Sequence, residues 1–242
     1  MSTPTLVLAS ASPGRLSTLR RAGLDPAVIV SGVDEDAELA RARDSYGELE
    51  PADAPLVLAR AKAEAVASLI EKGQPQTAPG TSDDGSAPAG TPTSADPARS
   101  LVLGCDSMLE LDGEVDSKPA DAADAVRRWR RMRGRTGTLH TGHWLVDLRD
   151  DEHGGTGATL GATASTVVHF ADVTDEEIEA YVATGEPLHV AGAFTTDGLG
   201  GAFVRGIEGD HHTVVGVSLP LLRTLLADCG VRWTDLWTDR LD

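Results

Sequence analysis

Ser10, Ser12 and Arg15 stand where an apolar run, Leu6 to Ala9, gives way to the start of a helix. Ser12 is a good N-cap, and Pro13 suits the first helical position, where its missing N–H is not needed. Leu16, Leu19 and Leu24 follow near helical spacing, and Gly23 offers a left-handed stop. A helix that begins there aims its free N–H groups, the positive end of its dipole, two hydroxyls and Arg15 at one point, which suits an anion. The same residues also make an ordinary helix cap followed by a solvated arginine.

Four more polar residues could join them. Glu35 lies in an acidic loop, Ser31 to Asp36, after a short apolar strand at Ala27 to Val30. Such a cluster also serves as plain solvated surface. Lys62 falls between Leu58 and Val66 on one face of a helix over Pro55 to Ile70, where it either snorkels to water or meets a charged partner. Asp106 ends the strongest buried-strand signal, Leu101 to Cys105, and ligands collect at strand ends in α/β sheets. Lys118 precedes another helix. Carboxylates, cationic side chains and a helix N-terminus are the components of metal-assisted phosphoryl chemistry. Composition alone does not bring them together.

The elements that must position them alternate between strand and helix, which predicts an α/β fold, and the hairpins imply a mixed sheet. A hairpin over Met108 to Val115 turns at Asp112-Gly113. The next helix places Ala122, Ala125, Val126, Trp129 and Met132 inward, and Gly134 closes it. Leu139 to Leu148 and Thr166 to Phe170 have strand composition and flank a glycine-rich loop over Asp150 to Gly157. Thr174 to Glu177 opens a capping-box helix that Gly185 ends; loops and short strands follow over Ala191 to Gly209. A last amphipathic helix spans Leu219 to Asp228. Residues 73–99 carry no branched aliphatic, methionine or aromatic side chain, so they are expected to form a flexible insertion within a single domain of 1–242 and to tolerate deletion.

Composition removes several classes of function. A net charge of −17 repels long nucleic acids and anionic membranes. With 4% aromatic residues the core is expected to be aliphatic. Cys105 and Cys229 form no disulfide framework or metal-ligand spacing, and no apolar run approaches a membrane span, so the chain reads as cytoplasmic. There is no G-x-x-x-x-G-K-[ST] loop, no G-x-G-x-x-G spacing and no G-x-S-x-G elbow. His140 and His143 point to opposite faces of a strand, and His211-His212 lacks the spacing of a zinc motif. Trp233 and Trp237 are expected to pack on the chain's own core.

The ordered motifs of the chain resemble those of the Maf family of nucleoside triphosphate pyrophosphatases along nearly its whole length. The family's S-x-S-P-R-R is similar to Ser10-Ala11-Ser12-Pro13-Gly14-Arg15, its D-V-D-E to Gly32-Val33-Asp34-Glu35, its L-A-x-x-K-A to Leu58 through Ala63, and its G-A-D-T to Gly104-Cys105-Asp106-Ser107. Lys118-Pro119, Gly134-Arg135-Thr136, Thr141-Gly142, Gly185-Glu186-Pro187, Ala191 to Phe194, and Ile207 to Asp210 followed by Val214-Val215-Gly216 match in the same order. The resemblance implies a two-lobed mixed α/β fold similar to the inosine triphosphate pyrophosphatases, with a cleft between the lobes. It implies hydrolysis of a nucleoside triphosphate to the monophosphate and pyrophosphate, removing non-standard or surplus nucleotides. By position Asp106 would accept the proton of the attacking water, and Glu35 with Asp106 would hold Mg²⁺ or Mn²⁺. Ser10, Ser12, Arg15, Lys62 and Lys118 would bind the phosphates.

The resemblance also admits a homodimer. An alternative role, suggested by the family's association with septum formation, is a nucleotide-sensing regulator of cell division with little turnover. Gly14 stands where the family has the first arginine of its pair, Ser107 replaces a threonine, and Val190 and Asp197 replace a lysine and a glutamine found in many members. These departures leave open a thymidine, uridine or methylated guanosine triphosphate as the substrate.

Overall fold

The structure, a computed structural model, describes residues 3–73 and 95–238. Its strands form one mixed sheet ordered β2-β1-β3-β5-β6-β7, with β4 paired to β3 off that path. The apolar run at the N-terminus is β1 (Thr5–Leu8), which pairs in parallel with β2 (Ala27–Val28) and with β3 (Ser100–Leu111). On the opposite edge of β3, β5 (Thr136–Asp147) pairs antiparallel from Leu101 through Glu110. β6 (Thr159–Phe170) and β7 (Val204–Glu208) extend the sheet in antiparallel fashion.

β3 does not end at Asp106-Ser107 as its apolar run suggests; it continues to Leu111. Along one edge β1 reaches only Leu103, and β4 (Glu114–Asp116) begins its pairing at Leu109. The edge of β3 from Gly104 to Met108 therefore has no strand beside it, while β5 holds the other edge throughout. Polar residues interrupt the apolar run because they occupy this gap, not because the strand stops. The hairpin turn at Asp112-Gly113 forms as expected, with φ of 57° and 81°.

β6 also begins earlier than its β-rich end predicts, at Thr159. Gly161 breaks the strand pattern in sequence, yet it is required: a Cβ there would stand 2.1 Å from Trp144 Cε3 across the pair.

α1 (Pro13–Arg21) starts at its Ser12 cap, and Gly23 follows it with φ of 86°. The acidic loop expected over Ser31 to Asp36 ends at Asp34, which caps α2 (Glu35–Tyr46), with Glu35, Asp36 and Glu38 in the first turn of that helix. Those charges suit the positive end of a helix. Only Ala42 of α2 is buried, so no apolar stripe announces it. α3 (Asp53–Glu71) buries nine residues. α4 (Ala122–Met132), α5 (Asp175–Ala183) with its Thr174/Glu177 capping box, α6 (His211–Val215) and α7 (Leu219–Asp228) complete the α-helices among the described residues.

These layers create two lobes on a shared sheet. Around β1, one face packs Leu6, Leu8, Leu103 and Leu145 with Leu19 of α1 and Leu222 of α7, while the other packs Val7 and Val102 against Ala63 and Val66 of α3. Beyond the gap, α4 and α5 cover Leu109, Leu139 and Val168. The core of this second lobe is aromatic, contrary to the aliphatic expectation: Trp129 meets Phe170, Tyr181 and Phe203 edge to face, with centroids 5.6–5.9 Å apart. The few aromatic residues are concentrated in one place.

Most of the expected 73–99 insertion lies outside the described residues. Its end is ordered, since Pro97–Arg99 forms a single 3-10 turn capped by Asp96. Trp233 packs on the first lobe, as expected, whereas Trp237 covers Gly23 and stays 45% exposed. Among the described residues no helix is long and apolar enough to cross a membrane.

Candidate active site

Two glycines let α3 lie directly on the sheet. A Cβ on Gly104 would stand 2.1 Å from Ala59 O and 2.8 Å from Ala63 N, and one on Gly142 would stand 2.4 Å from Pro55 O. Gly142 is the cross-strand partner of Asp106, and Gly104 is two residues before it on the same face. The close approach brings Lys62 to Asp106: Nζ lies 2.6 Å from Asp106 Oδ1. The same ammonium lies 2.6 Å from Glu35 Oε1, at the first turn of α2. Lys62 therefore meets a partner instead of snorkelling, and one cation joins two carboxylates from different elements. Their side chains are 11% (Lys62), 10% (Asp106) and 43% (Glu35) exposed.

The two carboxylates are pushed in opposite directions. Burial raises the Asp106 pKa above the ordinary carboxylate range, more than the charges of Lys62 and Arg15 lower it, and Glu35 adds to the rise. Burial also raises Glu35, but there the hydrogen bond and charge of Lys62, followed by the charges of Lys118 and Arg15, outweigh it and leave the carboxyl below its ordinary value. Divergent environments of this kind mark groups assigned to different tasks.

The opposite face of β3 carries a second network. Ser107 points away from Asp106 and accepts a 3.1 Å hydrogen bond from Arg15 Nη2. Arg15 Nη1 donates to Ser10 Oγ at 3.0 Å, and Nε donates to Gly216 O at 2.8 Å. Thr141 Oγ1 donates to Thr213 O, so its 2.9 Å contact with Ser107 uses the proton of Ser107. Arg15 is thus 8% exposed and commits three of its five N–H groups to the protein, which leaves two to present outward. Ser10 Oγ already accepts from Arg15 and from Ser12 N, so its own proton is free to donate. Ser12 Oγ accepts from Arg15 N as the helix cap. Where the family motif has an arginine, a Cβ on Gly14 would stand 3.3 Å from Val215 Cγ1, because α6 packs close on the helix start.

Ser10, Ser12, Arg15, Glu35, Lys62 and Asp106 therefore gather around the gap in β3. Lys118 sits beyond the end of β4, exposed, and joins them through its charge on Glu35. The sequence placed Gly104, Thr141, Gly142 and Gly216 in ordered motifs but gave them no role, because the contacts that define their roles are with distant elements. Thr213 was not singled out, since its carbonyl meets Thr141 only in the folded chain.

The histidines behave as separate structural groups. His143 is fully buried, donates from Nδ1 to Thr141 O and accepts at Nε2 from Ser218 N, which fixes a neutral tautomer. His140 faces the other way and contacts Ser165 and Glu110. Asp210, His211 and His212 bring ligand-capable atoms within 4.8 Å of one another. Asp210, however, is engaged as the α6 cap, with bonds from His212 N, His212 Nδ1 and Thr213 Oγ1.

Glu35 and Asp106 fit a hard divalent cation. They supply oxygen donors from two elements, and both reach one positively charged atom.

A family model described as Maf-like protein matches residues 5–229. The chain is 52% identical to a protein of Salinispora tropica over 96% of this chain and 87% of the relative. It is 51% identical to one of Streptomyces avermitilis, covering 97% of this chain and 95% of the relative. A protein of Streptomyces coelicolor is 49% identical, with 98% of this chain and 96% of the relative covered. All three are named nucleoside triphosphate pyrophosphatase.

Proposed function

The chain belongs to the Maf-like family, and from that premise we propose that it hydrolyses a nucleoside triphosphate to the monophosphate and pyrophosphate at the gap in β3. The observation that carries this reading is the Glu35–Lys62–Asp106 bridge, two carboxylates with opposed pKa shifts around one cation. Asp106 accepts the proton of a water that attacks the α-phosphorus, and the bond to the pyrophosphate oxygen breaks. A carboxylate raised above its usual range is a stronger base for that transfer than an ordinary aspartate. Lys62 orients Asp106 through Oδ1. A divalent cation held by Glu35 and Asp106 would neutralise charge on the phosphate oxygens.

The remaining groups bind the phosphates. Ser10 donates its free proton, the start of α1 offers backbone N–H groups, Arg15 presents its two uncommitted donors, and Lys118 adds an exposed charge. Fixed donors of this kind hold the phosphate chain in line with the water without reorganising during the reaction. The role we assign is removal of non-standard or surplus nucleotides. The test is a screen of the purified protein against normal and modified nucleoside triphosphates with Mg²⁺ or Mn²⁺, with pyrophosphate release as the readout. Release from at least one triphosphate, dependent on the metal, is expected; tight binding with no product would replace the hydrolase by a nucleotide sensor.

A further inference from the structure

The geometry points to Arg128 as the positioning residue for Lys118, an inference that rests on the phosphate-binding role proposed above for that lysine. α4 and its flank carry five arginines from Arg127 to Arg133, and two of them reach into solvent: the side chains of Arg127 and Arg130 are 68% and 44% exposed. Arg128 is 15% exposed and turns back over the end of β4. Its Nη1 donates to Ser117 O at 2.7 Å and its Nη2 reaches Lys118 O at 3.4 Å. The same two nitrogens lie 3.5 Å from Asp116 Oδ1 and 2.7 Å from Asp124 Oδ2.

An ion pair with Asp124 alone would need no contact with the backbone. Here the planar fork grips both carbonyls that flank the Cα of Lys118, a task that requires several donors in one rigid plane. The neighbouring bonds tighten the same segment. Asp124 Oδ2 also accepts from Ala120 N, Gly192 N donates to Ser117 O, and Arg131 pairs with Asp116. Pro119 is buried and Lys118 is exposed. The backbone from Asp116 to Ala120 is therefore tied to α4 and to the loop at Gly192, and the Lys118 side chain is what the segment leaves free. Arg128 thus fixes the root of a flexible side chain whose charge must reach the site at Glu35.

The test uses the full chain with five variants: Arg128→Gln, Arg128→Lys, Lys118→Ala, the Arg128→Gln/Lys118→Ala double variant, and Arg127→Gln as a control on the same helix. KM, kcat and the inhibition constant of Mg²⁺-bound inorganic tripolyphosphate are measured for each, with thermal melting alongside. Arg128→Gln is expected to raise KM and the tripolyphosphate constant by about tenfold, the scale of one misplaced charged contact, with kcat changed less than about twofold. The same substitution should add nothing in the Lys118→Ala background, and Arg128→Lys should not restore binding, because an ammonium cannot grip two carbonyls and two carboxylates in one plane. Arg127→Gln should match the parent. Additive effects of Arg128→Gln and Lys118→Ala would overturn the inference, as would normal binding in Arg128→Gln while Lys118→Ala binds weakly. Normal binding in Lys118→Ala would overturn it together with the phosphate role of that lysine. If Arg128→Gln melts below the assay temperature, Asp124→Asn takes its place. Weaker tripolyphosphate binding that disappears in the Lys118→Ala background supports the inference, and unchanged binding overturns it.

Discussion

Asp106 and Ser107 are consecutive in the middle of β3, point to opposite faces of the sheet, and are each held by a different cation: Asp106 by Lys62 of α3 and Ser107 by Arg15 of α1. Both faces become accessible from one place only because the edge of β3 beside them carries no strand. The gap lies beside the C-terminal end of β1, where ligands of α/β sheets bind. Each of the two networks can be broken separately.

Asp106→Asn keeps the shape of the side chain and an oxygen for Lys62 to donate to, but removes the group proposed as proton acceptor. Turnover is expected to fall by about 10²–10⁴, the range for loss of general base catalysis. Melting should stay at or above the parent value, since a buried charge is removed and Lys62 keeps Glu35. Pyrophosphate release near the parent rate would remove Asp106 from the role assigned to it.

Lys62→Met leaves Asp106 buried without its cation. Breaking a buried ion pair from one side costs about 3–5 kcal/mol where the remaining charge is fully retained. Burial already raises the Asp106 pKa against the opposing charge of Lys62, and removing that charge raises it further. At lower pH a proton neutralises the orphaned carboxylate, so the loss of stability should be larger at pH 8 than at pH 5. A loss equal at both values, measured by denaturant unfolding, would contradict this account.

Gly104→Ala tests the approach of α3. The added methyl would collide with Ala59 O and Ala63 N, which are backbone atoms of a helix and cannot swing aside as a side chain can. A destabilisation of about 1–3 kcal/mol or more is expected, and activity should fall further than stability explains, because lifting α3 moves Lys62 from Asp106. Parent-like unfolding and turnover would show that the contact yields easily.

Arg15→Ala removes a buried guanidinium that three acceptors share. It should raise KM or lower kcat sharply, and it should also destabilise the fold by about 1.5–3 kcal/mol, the range for hydrogen bonds to a charged group. The second effect separates Arg15 from an exposed phosphate ligand, whose loss would leave the melting temperature unchanged.

His143 links stability to pH. Burial, with a smaller contribution from the Arg15 charge, lowers its pKa from 6.5 to about 4. The unfolded chain therefore takes up a proton below 6.5 that the folded chain refuses until about 4. The stabilisation is fully present above 6.5 and is lost as pH falls through that window, by about 3 kcal/mol in all. In His143→Gln, which can still accept from Ser218 N, the decline in unfolding free energy between pH 6.5 and 4 should be shallower. An identical slope in both proteins would assign the acid sensitivity to other groups.

Local signals located much of this architecture. Ser12-Pro13 with Gly23 bounded α1, Thr174 with Glu177 opened α5, and Asp112-Gly113 turned the β3–β4 hairpin, because caps and turns are satisfied by side chains within a few residues. Signals failed where the determinant is distant. α2 has one buried residue and so no periodic stripe, and the first half of β6 is interrupted by Gly161, which the Trp144 ring across the pair requires. The second-lobe core looked aliphatic because a composition averages over the chain, whereas folding collected Trp129, Phe170, Tyr181 and Phe203 into one cluster.

By itself the sequence determined the residue types available for phosphate chemistry, the helix start at Ser12 and, through the order of its motifs, the family. The tertiary structure decided that Asp106 lies within a continuous strand at a gap in its edge, that Lys62 joins Asp106 to Glu35, and that Arg15 is mostly engaged by Ser10, Ser107 and Gly216. The reason is that strand pairing, charge pairing and hydrogen bonding join residues separated by as many as 201 positions. Neither propensity nor spacing, which act over a few residues, encodes which distant groups will meet.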